Sequence, residues 1–246
     1  MPDRDWFKEW FNSPYYHLLY SHRNKDEALA FIKRLIAHLQ PAEGSRMLDV
    51  ACGKGRHSRA LAKMGFDVTG IDLSLESINE AKESEDENLH FFQHDMRLPF
   101  WIRYFNYAFN FFTSFGYFRT VREHNNAIRT IARSLNTNGV FVMDYLNVHY
   151  EENHLEKGHE KKVEGVKFRI AKWHDEEHFF KQIQVEEKGV TRHVFTEKVA
   201  KFTLGDFTEM FAYQGLQIQE VYGDYKLSEY DIRKSPRLIM IAKKIK

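Results

Sequence analysis

The chain has 246 residues, with 36 lysines and arginines against 35 aspartates and glutamates, and a formal net charge of +1. A surface balanced in this way offers no general attraction for nucleic acid or an anionic membrane. Its 43% hydrophobic and 15% aromatic content suffices for one large α/β domain or a domain carrying an insertion. The single cysteine, Cys52, excludes an intramolecular disulfide framework. No apolar run is long enough to span a bilayer, and the first residues carry charge where a signal peptide needs an apolar stretch, so a cytoplasmic protein is expected.

Residues 1–24 are rich in aromatic side chains (Trp6, Phe7, Trp10, Phe11, Tyr15, Tyr16, Tyr20) and are broken by Asn12-Ser13-Pro14. This is too apolar for a disordered tail and predicts a cap packed over another surface. The stripe Ala28, Leu29, Ile32, Leu35, Ile36, Leu39 predicts an amphipathic helix, opened by Asn24 and Glu27 in capping-box spacing and stopped at Pro41. From Arg46 the pattern alternates. Strands are expected at 47–50, Val68–Ile71, Leu89–Phe92, Tyr107–Phe112 and, after an Asn138-Gly139 turn, Val140–Met143. Helices are expected at Ser58–Met64, Leu75–Lys82 (capped by Ser74) and Val121–Leu135. Such alternation predicts a doubly wound, mostly parallel α/β sheet with right-handed crossovers.

The alternation breaks at residue 146. Imperfect period-two runs at Val166–Trp173, Phe179–Glu186 and Thr191–Lys201 predict antiparallel strands. Thr203 and Asp206 predict a second capping box, opening a helix through Phe207, Met210 and Phe211. Strands at Gln217–Tyr222 and Arg237–Ala242 then return to the sheet. The expected organisation is an aromatic cap over 1–24, one α/β domain made of 25–145 and 203–246, and a β-rich insertion or lid over 146–202.

The most informative stretch runs from Met47 to Ser58, a short strand followed by Gly53 and Gly55 and then a helix. The glycines permit a tight turn and close approach of a ligand to backbone, although a tight turn without a ligand has the same pattern. Asp49 lies on the strand before the loop, Asp72 ends the second strand and Asp95 the third. In an open parallel sheet these strand ends face one crevice, where ligands bind. Three carboxylates there require a polar or cationic partner. A nicotinamide dinucleotide accounts for the glycines and Asp72, but leaves Asp95 without a purpose, finds Ser58 where a third glycine belongs, and brings its pyrophosphate near Asp49. S-adenosylmethionine (SAM) suits better. It carries a ribose for Asp72, an adenine amine for Asp95, a zwitterionic methionine end for the loop, and no phosphate.

The run from Leu48 to Gly55 resembles the first motif of class I SAM-dependent methyltransferases. Val68 to Ser74 resembles their second-strand motif, and His94-Asp95-Met96-Arg97 their third. The chain is most similar to the small-molecule branch, such as glycine N-methyltransferase and the amino-sugar N-methyltransferases. That resemblance implies a seven-stranded sheet whose last strand is antiparallel, with a β insertion after the fifth. It also implies cofactor contacts at Asp49, Ala51, Gly53, Gly55, Asp72, Leu73, Asp95, Met96 and Phe111. Arg23 resembles an N-terminal arginine that pairs with the cofactor carboxylate, or is an ordinary surface arginine.

On the acceptor side, Tyr117 in the run Thr113 to Tyr117 stands where the family places a polar residue near the methyl group; a half-buried loop tyrosine is the alternative. Tyr16 and Tyr20 either roof the cofactor, where aromatic faces favour a sulfonium, or are core for the N-terminal segment. Tyr145 and Asn147 follow the fifth strand and either line the acceptor pocket or, for Asn147, form a turn. His174-Asp-Glu-Glu-His178 has the spacing of a zinc site, but its strand-like context lacks the helix that puts both imidazoles on one face. The Asn-Pro-Pro-Tyr signature of planar-nitrogen methylation is replaced by Asn110-Phe-Phe-Thr. Together with the balanced charge this favours a small-molecule acceptor over nucleic acid, methylated at nitrogen or oxygen by in-line displacement. A methyltransferase of RNA or protein docking through Lys157, Lys161, Lys162 and Lys167 is one alternative, and a non-catalytic SAM sensor another. The oligomeric state is not readable from the sequence.

Overall fold

The protein is described from a computed structural model, at residues 6–20 and 25–245. Arg23 and the Asn24–Glu27 capping box lie outside the described side chains. The cap forms two short helices, α1 (Trp6–Phe11) and α2 (Pro14–Leu19). Ser13 separates them: its side chain accepts from the Tyr15 N–H (3.2 Å), and Pro14 sits at a first helical position, where its missing N–H costs nothing. Helix α3 (Lys25–Leu39) buries Ala28, Phe31, Ile32 and Leu35.

The alternating elements follow: β1 (Arg46–Val50), α4 (Arg56–Ala62), β2 (Asp67–Asp72), α5 (Leu75–Lys82), β3 (Leu89–Gln93), β4 (Phe105–Asn110), α6 (Val121–Ser134) and β5 (Leu135–Leu146). After them come α7 (Val148–His154), β6 (Gly158–Val163), β7 (Val166–His174), β8 (His178–Glu187) and β9 (Val190–Ala200). Helix α8 (Leu204–Tyr213) is opened by the expected Thr203–Asp206 capping box, and β10 (Leu216–Tyr222) and β11 (Arg237–Lys244) complete the chain.

Seven strands form one sheet in the order β10-β11-β5-β4-β1-β2-β3, and β6-β7-β8-β9 form a second, antiparallel sheet. Within the large sheet β3, β2, β1, β4 and β5 run parallel, while β11 is antiparallel to both β5 and β10. The strand order reverses at β1, which lies between β2 and β4; this is where an open parallel sheet leaves a crevice beyond its strand ends. Alternate residues of each strand feed opposite faces. Leu48 and Val50 join Phe141, Phe207 and Phe211 on one side, whereas Met47 joins Phe31, Leu35 and Leu61 on the other.

Two elements escape the sequence patterns. Helix α7 buries only Val148, and the edge strand β6 buries only Val163, so neither has an apolar period to detect. Strand β4 starts and ends two residues before the expected Tyr107–Phe112. The Asn110 amide donates to Val50 O (3.0 Å), and Phe112 and Thr113 both turn to φ 57°, which takes the chain out of the sheet. Asn138, expected in a turn before β5, is a kink at φ 62° inside it.

The aromatic cap packs on the same cluster as the inner face of the small sheet. Trp10 is fully buried against Phe195, with ring centroids 4.6 Å apart. The cap therefore bridges the large sheet and the insertion.

Candidate cofactor and acceptor site

Strand β1 delivers the chain to a loop with three positive φ angles, at Ala51 (61°), Gly53 (55°) and Gly55 (74°). The Cys52 N–H donates to Ile71 O (3.0 Å) and the Gly55 N–H to Cys52 O (3.0 Å), so the loop is fastened to β2 and folded on itself. The two glycines serve different ends. A Cβ on Gly53 would meet no atom within 4 Å, so this residue presents bare backbone to open space. A Cβ on Gly55 would stand 2.5 Å from Phe91 Cε1, so Gly55 is required by packing against β3. Gly55 accordingly does not line the cavity described below.

Asp72 is the last residue of β2. Its carboxylate accepts from the Gly53 N–H (2.8 Å) and the Ser74 N–H (2.8 Å), and burial raises its pKa in spite of these donors. Asp49 does not line the cavity described below. It is 1% exposed, accepts from the Ser58 hydroxyl (2.6 Å), and is pushed up to about 6 by burial, with the nearby Asp72 adding to the rise. Its place is under the loop, as a brace between β1 and α4.

Asp95 lies two residues past β3 and is not free. Arg97 grips both oxygens, Nη2 to Oδ2 at 2.6 Å and Nε to Oδ1 at 3.0 Å, and reaches Glu123 through Nη1 (2.7 Å). Burial would raise the Asp95 carboxyl, but the Arg97 guanidinium and backbone N–H hold it below the usual range. Any adenine amine would have to share Asp95 with Arg97.

These strand ends open on a cavity of about 460 Å³, within the usual range for small-molecule sites. Ala51, Gly53, Asp72, Leu73, Asp95, Met96 and Phe111 line its floor, and Tyr16, Tyr20 and Tyr117 line its roof. Tyr117 donates its hydroxyl to Thr113 O and meets Trp6 and Phe11 edge-on, with centroids 5.6 and 5.4 Å away. Tyr16 packs on Phe11 (5.1 Å) and Tyr20 (4.9 Å). Two residues expected on the acceptor side lie elsewhere. Tyr145 is fully buried, and its hydroxyl donates to Ala200 O (2.5 Å), tying β5 to the end of β9. Asn147, 1% exposed, donates to Ile232 O (3.0 Å) and Ser235 O (2.8 Å), fastening the loop before β11.

The cavity also has walls that the motifs do not reveal. Phe112 stacks on His57 (5.1 Å, 6°) and lies under the Arg56 guanidinium (4.6 Å). Lys54 pairs with Glu80 (2.5 Å), and Arg59 holds the loop through Lys54 O (2.6 Å). Glu197, on β9, reaches the roof from the insertion. The start of α4 beside the glycine loop is a signal for Arg56 and His57; the strand pattern holds none for Glu197. His174 and His178 flank a hairpin turn in which Asp175 accepts from two backbone N–H groups, Glu177 (2.8 Å) and His178 (2.7 Å).

A seven-stranded sheet in this order, with one antiparallel strand and a cavity past the ends of β1, β2 and β3, is the fold of class I SAM-dependent methyltransferases. The structure overlays that of a SAM-dependent methyltransferase from Clostridium acetobutylicum with a TM-score of 0.77 at 16% identity, covering 93% of this chain and 95% of that one. It overlays SAM-bound CalS10, an amino pentose methyltransferase from Micromonospora echinaspora, with a TM-score of 0.68 at 22% identity, covering 94% and 97%. The chain belongs to the family described as Methyltransferase domain, whose profile matches residues 20–221. In sequence it is similar to the dTDP-3-amino-3,4,6-trideoxy-alpha-D-glucopyranose N,N-dimethyltransferase of Streptomyces venezuelae. The two are 36% identical over 132 residues, a match spanning 52% of this chain and about half (54%) of that relative.

Proposed function

We propose that the chain transfers a methyl group from SAM to a nitrogen or oxygen of a small-molecule acceptor, nitrogen being favoured. The observation that carries this reading is Asp72: a carboxylate at the end of β2, fixed by two backbone N–H groups beside the open backbone of Gly53, in the wall of one cavity shared with an aromatic roof. A carboxylate has about four acceptor sites, so with these backbone donors Asp72 keeps capacity for a ribose hydroxyl. Family membership and the amino-sugar N,N-dimethyltransferase relative support methyl transfer and nitrogen respectively.

When bound, SAM supplies a methyl group on a sulfonium sulfur, ready for displacement by a nucleophile aligned behind it. The tasks left to the protein are alignment and exclusion of water. Gly53 and Asp72 would hold the cofactor, with Leu73 and Met96 bounding it. Tyr16, Tyr20 and Tyr117 would close the acceptor side, their rings suited to a positive sulfonium. Tyr117 spends its proton on Thr113 O, so it is not poised to donate that proton to an acceptor. Among the described residues no helix is long and apolar enough to cross a membrane. Incubation of the protein with SAM and a panel of small amines and alcohols, with release of S-adenosylhomocysteine as the readout, tests the proposal. Turnover of an amine is the expected result. Tight binding of S-adenosylhomocysteine without turnover of any acceptor would instead favour a sensor.

A further inference from the structure

Glu197 breaks a pattern. On β9 the side chains at 195, 197 and 199 share one face, and Phe195 and Val199 pack into the core there. Its direct partner across the pair, Lys181 on β8, likewise interrupts an apolar row that includes Phe179 and Ile183. An opposed Lys–Glu pair on the inner face of a sheet costs desolvation that apolar residues would avoid. The two ends of the pair differ in where they point. Lys181 donates to the Tyr20 hydroxyl and lies over the Tyr20 ring (4.6 Å), and it is not part of the cavity wall; Glu197 is.

The two carboxylate oxygens also differ. Oε1 accepts from Trp10 Nε1 (2.7 Å) and from the Tyr20 hydroxyl (2.9 Å). Oε2 has no hydrogen-bond donor among the described residues and only the Lys181 ammonium at 3.9 Å. The first oxygen thus fixes the side chain to the cap, and the second is left to accept. The other charged groups of the cavity wall, Lys54, Arg56, Arg59, Glu80, Asp72 and Asp95, belong to the glycine loop, α4, α5 and the ends of β2 and β3. On the roof the one charged group in the wall, among the described residues, is Glu197.

We propose that Glu197 is a specificity-determining residue. Its Oε2 accepts from an N–H or O–H of the methyl acceptor, so the site admits amines and hydroxyl-rich molecules. Acceptors that place a carboxylate or phosphate at the roof are refused by charge repulsion. The proposal rests on the methyltransferase reading above.

The test uses Glu197→Gln, which keeps an oxygen for Trp10 and Tyr20 and removes the charge. The probes are glucosamine and ethanolamine, and their carboxylated counterparts glucosaminic acid and glycine. Wild-type protein is expected to methylate an uncharged-end probe in preference to its carboxylated counterpart. In the variant KM for that probe should rise roughly tenfold to a hundredfold, the worth of a hydrogen bond to a charged group, with kcat little changed. Affinity for S-adenosylhomocysteine should stay as in wild type. An unchanged KM overturns the proposal, as does a joint fall of kcat, cofactor affinity and melting temperature, which marks a purely structural pair. Preference of the wild type for the carboxylated probes, or no turnover of either donor probe by protein that binds S-adenosylhomocysteine, also overturns it while sparing the cofactor reading. Failure to bind S-adenosylhomocysteine removes both.

Discussion

Asp72 accepts from backbone donors in two segments, Gly53 of the glycine loop and Ser74 of the α5 cap. Ribose recognition and loop shape therefore depend on one side chain. Asp72→Ala is expected to weaken S-adenosylhomocysteine binding about a hundredfold, roughly 2.7 kcal/mol, in a calorimetric titration; wild-type affinity would refute the ribose assignment. Two other buried groups set opposite pH dependences. Burial raises Asp49 from 3.8 to about 6, so between those values the folded state holds a proton that the unfolded chain has released. Stability from this group falls by about 2 kcal/mol as pH rises from 4 to 6, and by about 3 kcal/mol across the whole transition. Burial lowers His124 from 6.5 to about 4, and its ring is held by Thr120 O (3.0 Å) and the Phe118 N–H (3.3 Å). Here the unfolded chain takes up the proton first, so a similar amount, about 3 kcal/mol, is lost as pH falls from 6.5 to 4. Urea denaturation across this range should show Asp49→Asn gaining on wild type as pH rises, and His124→Asn gaining as pH falls. Parallel curves for either variant would contradict the corresponding shift.

At the scale of the element, the glycine loop separates stability from binding. Gly55→Ala adds a left-handed backbone penalty to a collision with Phe91, so a loss of about 2–4 kcal/mol is expected in urea denaturation. Gly53→Ala carries only the backbone penalty, about 1–2 kcal/mol, and its methyl group points into open space where the cofactor is proposed to lie. It should weaken S-adenosylhomocysteine more than Gly55→Ala does. The loop after β4 depends on a buried network instead. Asp144, with no exposed side-chain surface, accepts from Arg237 Nε (2.7 Å), the Phe112 N–H (2.8 Å) and the Tyr225 hydroxyl (3.2 Å). Asp144→Ala leaves Arg237 largely buried without its counter-charge, and a loss of about 3 kcal/mol is expected by the same measurement. The elements of the cofactor half were legible because they carry local signals: Ser74 caps α5, and the strands read as apolar runs. Helix α7 and strand β6 have no such signal, being mostly polar with one buried side chain each.

At the scale of the whole molecule, the crevice past β1, β2 and β3 was legible from glycine and aspartate spacing, since those residues lie close in the chain. The roof was not. The Trp10–Glu197 hydrogen bond joins residues 187 apart, and the imperfect alternation of polar and apolar residues along β9 does not show which of its side chains face the cavity. Tyr145 and Asn147 illustrate the same limit. Their position at the end of β5 suggests a pocket, but the return of β9 and of the segment before β11 buries both in hydrogen bonds to distant carbonyls. One floor can thus be covered by many roofs, and a fold of this kind specifies the cofactor more firmly than the acceptor. The claim on which everything else depends is that the cavity holds SAM. Thermal unfolding with excess S-adenosylhomocysteine, and separately with excess NAD, tests it most directly. At ~100 times its dissociation constant a ligand adds roughly 2.7 kcal/mol, a clear rise in melting temperature. A rise with S-adenosylhomocysteine and none with NAD is the predicted result; a rise with NAD alone would contradict the account.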